Sequence, residues 1–166
     1  MTDDPRAVER HVLTAVEATG EPFEVIEIDP ELADTAAFCQ HYGYPPETSG
    51  NCILVASKDD PPVVAACLAL ATTKLDVNKR VRKLLGVRKL SFAPAEVTRE
   101  VTGMAIGGVT PFGLPQDLAL YLDARIGELD RIIVGGGSRS LKLAVPPAAL
   151  LAVGGILIED LALPLS

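Results

Sequence analysis

The residues best placed to do chemistry sit in two glycine-rich stretches. The first reads Gly103-Met-Ala-Ile-Gly-Gly-Val-Thr-Pro-Phe-Gly113 and closes with Leu114 and Pro115. The second reads Val134-Gly-Gly-Gly-Ser-Arg-Ser-Leu-Lys142. Glycine lets a backbone take positive φ or approach a ligand closely, and proline fixes φ, so such loops are shaped. Both loops are read as facing one pocket. Successive N–H groups freed by glycine can hold a carbonyl or ester oxygen. Two tight turns at strand ends would explain the same residues. The spacing fits neither a P-loop, which needs Lys and Ser/Thr, nor a dinucleotide fingerprint.

The second candidate is charge. Lys74, Lys79, Arg80, Arg82, Lys83, Arg88 and Lys89 are seven of the fifteen basic residues, and Asp76 is the one acid among them. In a chain of net charge −7, a basic helix face can meet phosphates or can be a solvated surface. Histidine and cysteine offer less. His11 lies in the first helix, and His41 and Cys39 point to different sides of another. Neither arrangement supplies the three or four convergent ligands of a zinc site. Cys52 falls in an apolar strand and reads as a core thiol.

These residues need a scaffold, and 166 residues suffice for one domain with a substantial core. A hydrophobic content of 48% argues against disorder, and an aromatic content of 4% argues against stacking bases on several rings. Three cysteines without C-x-x-C spacing, no leader pattern and no apolar run of spanning length predict reduced thiols in a soluble, cytoplasmic protein.

Periodicity predicts a helix over Asp4–Thr19, a strand over Phe23–Ile28 and a short helix over Ala36–Tyr42 ended by Gly43. Strands at Asn51–Ser57 and Val63–Ala71 are expected to pair antiparallel across a Lys58–Pro62 loop. Asp76 is expected to open the clearest helix, carrying Val77, Val81, Leu84 and Leu85 and capped by Gly86. Lys89–Phe92 is a short strand. Pro94 starts a helix that ends at Gly103. Strands follow at Leu118–Asp123, Arg131–Val134 and Leu141–Val145, then a helix from Pro146 and Pro147 to Gly154 and a strand at Ile156–Glu159. The mixture predicts an α+β fold with a mixed, mostly antiparallel sheet curled toward a barrel.

Four ordered blocks carry a resemblance. They are Thr35-Ala-Ala with Gly43 and Asn51-Cys-Ile-Leu-Val55; Lys74-Leu-Asp-Val-Asn-Lys-Arg80; Thr102 to Gly113; and Val134 to Leu141. Together they resemble the YbaK-like family, the aminoacyl-tRNA deacylases related to the editing domain inserted in bacterial prolyl-tRNA synthetases. The resemblance runs roughly from Thr35 to Ile158. It implies one editing-type domain over residues 1–166 that hydrolyses the ester of a mischarged aminoacyl-tRNA in trans, serving translation fidelity. It implies a pocket lined by Cys52, Gly107, Gly108, Thr110, Pro111, Gly113, Gly135, Gly136 and Gly137. In that pocket the Gly107 and Gly108 amides polarise the carbonyl. Lys74, Lys79, Arg80, Arg82 and Lys83 would contact nucleic acid. The implied partners are tRNA through its aminoacylated 3′ end and an aminoacyl-tRNA synthetase, with no cofactor, metal, membrane or DNA. The family carries a lysine on the first pocket strand, where this chain has Cys52. A thiol of pKa near about 8.5 is neutral at pH 7 and does not replace an ammonium. Lys142 stands where some members have aspartate, and a lysine there could enter the pocket from the other side. The alternative is a degenerate member that binds an aminoacyl group, amino acid or tRNA without cleaving it.

Overall fold

The computed structural model describes residues 4–165, and among them five α-helices and ten strands form an α+β fold. Helix α1 (Pro5–Glu17) is capped by Asp4, which accepts the Arg6 N–H at 3.0 Å, and buries Val12 and Val16 completely. Strand β1 (Glu24–Glu27) follows. Helix α2 (Thr35–Tyr42) stops at Gly43, whose φ of 77° is the left-handed cap that glycine takes without strain. Strands β2 (Gly50–Ser57) and β3 (Val64–Leu70) pair antiparallel, with Cys52 opposite Leu68. A short strand, β4 (Thr73–Leu75), comes next.

The expected helix after Asp76 is only partly α. Val77–Val81 winds as a wider π-type turn, and α3 covers only Arg82–Leu85 before Gly86. The i, i+4 apolar spacing still buries Val77 and Val81, so the pattern marks the buried face without setting the winding. Strand β5 (Leu90–Phe92) and helix α4 (Ala95–Thr102) lead to the first glycine loop. Strands β6 (Ala119–Asp123), β7 (Ile132–Gly135) and β8 (Leu141–Val145), helix α5 (Pro147–Ala152), and strands β9 (Ile156–Ile158) and β10 (Ala162–Pro164) complete the chain.

The strands form three sheets, ordered β5-β2-β3-β6-β9, β1-β8-β7 and β10-β4. β6 runs parallel to β3 and to β9, while the other ladders are antiparallel. No sheet closes on itself, so the barrel-like description holds only loosely. The main core packs Leu54, Leu68, Phe112, Leu122, Ile132 and Leu143 between the two larger sheets. Asp123, fully buried, accepts from the Arg125 backbone and guanidinium and from the Ala162 N–H at 2.9 Å, which ties β6 to β10. That pairing is what makes a buried carboxylate tolerable.

The two glycine loops meet backbone to backbone. The Gly137 N–H donates to Gly108 O at 2.8 Å. A Cβ on Gly108 would lie 2.7 Å from the Ser138 carbonyl carbon, and one on Gly135 would lie 2.4 Å from Val109 O. By contrast, a Cβ on Gly43 would meet nothing within 4 Å. Gly108→Ala is therefore expected to cost about 2–3 kcal/mol by overpacking. Gly43→Ala is expected to cost about 1 kcal/mol from its left-handed backbone alone. Urea unfolding of the two variants checks this, and equal losses would contradict the close-approach account.

Candidate functional site

A cavity of about 470 Å³ opens where β2, β5, α4, the first glycine loop and β8 converge. Its polar wall holds Asp34, Thr35, Asn51, Cys52, Thr98 and Lys142. Apolar surface comes from Ile53, Leu54, Phe92, Ile106 and Val109, among others. The volume lies within the roughly 300–1,000 Å³ of small-ligand sites, which combine apolar walls with a few placed polar groups.

Lys142, the lysine that the sequence suggested could enter the pocket from the other side, lines the wall. It lies in β8, opposite Gly135 of β7 and Ile26 of β1, and only 7% of it is exposed. Alternation along the strand sends Leu143 and Val145 into the main core. Lys142 shares the other face with Ala144, which packs against α2. Its Nζ stands 5.0 Å from the centre of the Phe38 ring, a cation–π distance. Burial lowers its pKa from the ordinary lysine value; Cys39 and Asp34 oppose the shift and Arg139 adds to it. The ammonium is thus more easily deprotonated than that of a surface lysine. The bare face of Gly135 matters here. The space its Cβ would fill holds Val109 O, so the first glycine loop lies against the strand beside Lys142.

Neighbouring groups fix the rim. Thr35 Oγ1 donates to Asn51 Oδ1, joining α2 to β2 across the wall. Arg139 donates from Nε to Pro30 O at 3.2 Å, and its Nη1 lies 3.8 Å from Asp34 Oδ1. The same Nη1 lies 2.1 Å from where a Cβ on Gly107 would be, so Gly107, at φ 96°, yields its side-chain space to the guanidinium. Cys52 is a neutral thiol. Burial raises its pKa and Cys67 raises it further, while burial pushes Cys67 up to about 12. Among the described residues no three His, Cys, Asp or Glu side chains converge as a metal would require.

Of the residues expected in the pocket, Cys52, Gly107 and Gly135 line it, and Gly108, Thr110, Pro111, Gly113, Gly136 and Gly137 are not part of its wall. Thr110 and Pro111 are buried behind it, where Thr110 Oγ1 accepts the Phe112 N–H at 3.5 Å. Gly113 O accepts from His11 Nε2 at 3.0 Å. The Gly108 N–H donates to Ala105 O at 2.9 Å, the Gly136 N–H to Leu141 O and the Gly137 N–H to Gly108 O. The expectation of a Gly107–Gly108 amide pair is corrected accordingly: the Gly108 amide closes a turn and is not open to a ligand. Gly108 packs against the Ser138 backbone of the other loop, Gly136 against Leu141, and Gly113 and Gly137 against helix α1. Of the basic segment, Lys74, Lys79 and Lys83 are exposed. Arg80 Nε donates to Glu159 O, and Arg82 donates to Asn78 O and Val87 O, so both arginines brace the backbone.

Asp34, Thr98 and Phe92 were not singled out from the sequence, and Thr35 and Asn51 entered only as members of the first motif block, without a place in the pocket. Thr35 and Asn51 lie sixteen residues apart, and only the α2–β2 fold joins them. Lys142 did carry a signal, as the one charge in the strand Leu-Lys-Leu-Ala-Val, because lysine is almost never fully buried without a reason.

The chain as a whole is similar to several known proteins. "Uncharacterized protein YwhH" of Bacillus subtilis is 36% identical over 87 residues, 52% of this chain and 54% of that protein. "Putative Cys-tRNA(Pro)/Cys-tRNA(Cys) deacylase EbsC" of Enterococcus faecalis is 28% identical over 92 residues, 55% of this chain and 54% of that protein. The chain spans about half the length of these curated relatives. A crystal structure described as "a putative trans-editing enzyme for prolyl tRNA synthetase" superposes with a TM-score of 0.80 at 25% identity, covering 96% of this chain and 98% of that one. The structure of "hypothetical protein APE2540" shares the fold, with a TM-score of 0.81 at 22% identity over 92% of this chain and 99% of that one. The family model of the aminoacyl-tRNA editing domain matches residues 29–153, most of the chain, and the chain belongs to that family.

Proposed function

We propose that this protein hydrolyses the ester of a mischarged aminoacyl-tRNA in trans, with Lys142 as the group that polarises the ester. The observation that carries the reading is a buried lysine on the wall of the cavity that also holds Cys52 and Gly107. Membership of the aminoacyl-tRNA editing family supports this substrate class. The cavity supplies an N–H donor where the expected lysine on β2 is replaced by Cys52.

In this reading the aminoacyl group enters the cavity and its carbonyl oxygen accepts a hydrogen bond from Lys142 Nζ. A water adds to the carbonyl carbon, and the charge that develops on the oxygen is held by the same donor. The bond from carbonyl carbon to ribose oxygen then breaks. The proton lost by the water ends on that oxygen, leaving a free amino acid and a tRNA with its terminal hydroxyl restored. The Thr35–Asn51 hydrogen bond stiffens the wall opposite. Exposed Lys74, Lys79 and Lys83 attract the phosphates. Cys52 takes no part as a nucleophile, because its raised pKa leaves no thiolate at neutral pH.

Incubation with a panel of mischarged tRNAs tests the reading, and no hydrolysis above the spontaneous rate on any of them would overturn it. Lys142→Met is expected to slow hydrolysis by about 100-fold or more, the usual loss for one oxyanion donor. Cys52→Ser is expected to keep the rate within a few-fold; a comparable loss there would move the chemistry to the thiol.

The lysine also predicts a pH dependence with a definite sign. Its folded-state pKa lies below the unfolded value of about 10.4, so burial of the charge opposes folding. That cost is fully present below the folded pKa and disappears as pH rises past the unfolded one. Lys142→Met is thus expected to be more stable than wild type at pH 7, with the gap closing toward alkaline pH in urea titrations. A gap that widens with pH would contradict the assignment.

A further inference from the structure

A second cavity, of about 550 Å³, adjoins the first. It is lined by Lys74, Asp76, Asn78, Ser91, Leu163 and Leu165, among others, and Phe92 belongs to the walls of both cavities. Phe92 ends β5 and is 51% exposed. A large aromatic side chain left half in water between two cavities has a face available to a flat ligand. The polar groups beside it are of the kind that reads a base edge: the amide of Asn78 and the hydroxyl of Ser91. Exposed Lys74 lies on this wall, and exposed Lys79 and Lys83 follow in the next turns. The Asp76 carboxylate is engaged locally, since its Oδ1 accepts the Lys79 N–H at 3.3 Å. Of the seven basic residues between positions 74 and 89, Lys74 lines this cavity itself.

We propose that the second cavity holds the penultimate nucleotide of the RNA 3′ end, its base stacked on Phe92 and its phosphate beside Lys74. The proposal rests on the ester-hydrolysis reading of the first cavity, where the terminal aminoacyl-nucleoside would sit. A cationic groove with an aromatic platform is how single strands are held without a sequence code, and unstacked 3′ ends present bases that can be splayed onto such a ring. The scarcity of aromatic residues, 4% of the chain, limits the number of stacked bases but leaves one. Leu163 and Leu165, 49% and 61% exposed, offer apolar surface along the same cavity.

The test uses the tetranucleotide ACCA with 2-aminopurine in place of either the penultimate or the terminal base. Stacking on a ring quenches this probe. Wild type is expected to quench the penultimate probe, and Phe92→Leu, which keeps apolar bulk, is expected to abolish that quench and weaken binding at least about fivefold. Phe92→Trp is expected to restore both. Lys74→Glu is expected to weaken binding and flatten its salt dependence. Equal quench and affinity in wild type and Phe92→Leu would overturn the proposal, as would no binding by wild type. Hydrolysis of mischarged tRNA, measured alongside, separates the two readings. Hydrolysis with Phe92-independent binding sinks only the stacking site. Phe92-dependent binding without hydrolysis sinks only the enzymatic reading.

Discussion

The contact between the two glycine loops sets the geometry on which the site depends. The Gly137 N–H on Gly108 O, at 2.8 Å, and the seating of Val109 O against Gly135 bring backbone to backbone where any side chain would separate them. Glycine is required here for its missing Cβ more than for its freedom in φ. The consequence reaches past the loops. Gly135 is the cross-strand partner of Lys142, so the same close approach that joins the loops lays one of them beside the buried lysine. A loop held a few tenths of an ångström further out would open the cavity wall at that point.

Burial of Lys142 carries a cost that the fold offsets only in part. Phe38 gives the cation a ring face, and Asp34 a distant carboxylate at the rim. Neither forms a close ion pair, and the net effect of the surroundings is to lower the lysine's pKa from its ordinary value. Groups in such a state are found where a protein needs a donor out of competition with water. Cys52 on β2 and the buried Lys142 on β8 line the same cavity, so the lysine of its wall is supplied by β8.

Much of the scaffold was legible in the sequence because its signals are local. Gly43, Gly86 and Gly103 end helices with positive φ, as their positions predict, and the apolar runs flanking Lys58–Pro62 pair as the expected hairpin. The order of four motif blocks was enough to place the chain in its family. What was not legible depends on tertiary approach. The amide of Gly108 looks free in the sequence and is committed to Ala105 O in the fold. Thr110 and Pro111 look like a rim and are buried behind the wall. Arg80 and Arg82 read as phosphate ligands, yet they hold backbone carbonyls. Strand β10 escaped notice because three residues, Ala162–Pro164, carry no periodicity.

The most direct measurement of the central claim is a crystal structure with a hydrolysis-resistant aminoacyl-adenosine analogue, amide-linked at the 3′ position. The account predicts the aminoacyl group inside the cavity between β2 and β8, its carbonyl oxygen within hydrogen-bond distance of Lys142 Nζ. A ligand bound elsewhere, or one in the cavity whose carbonyl is turned away from Lys142, would contradict it.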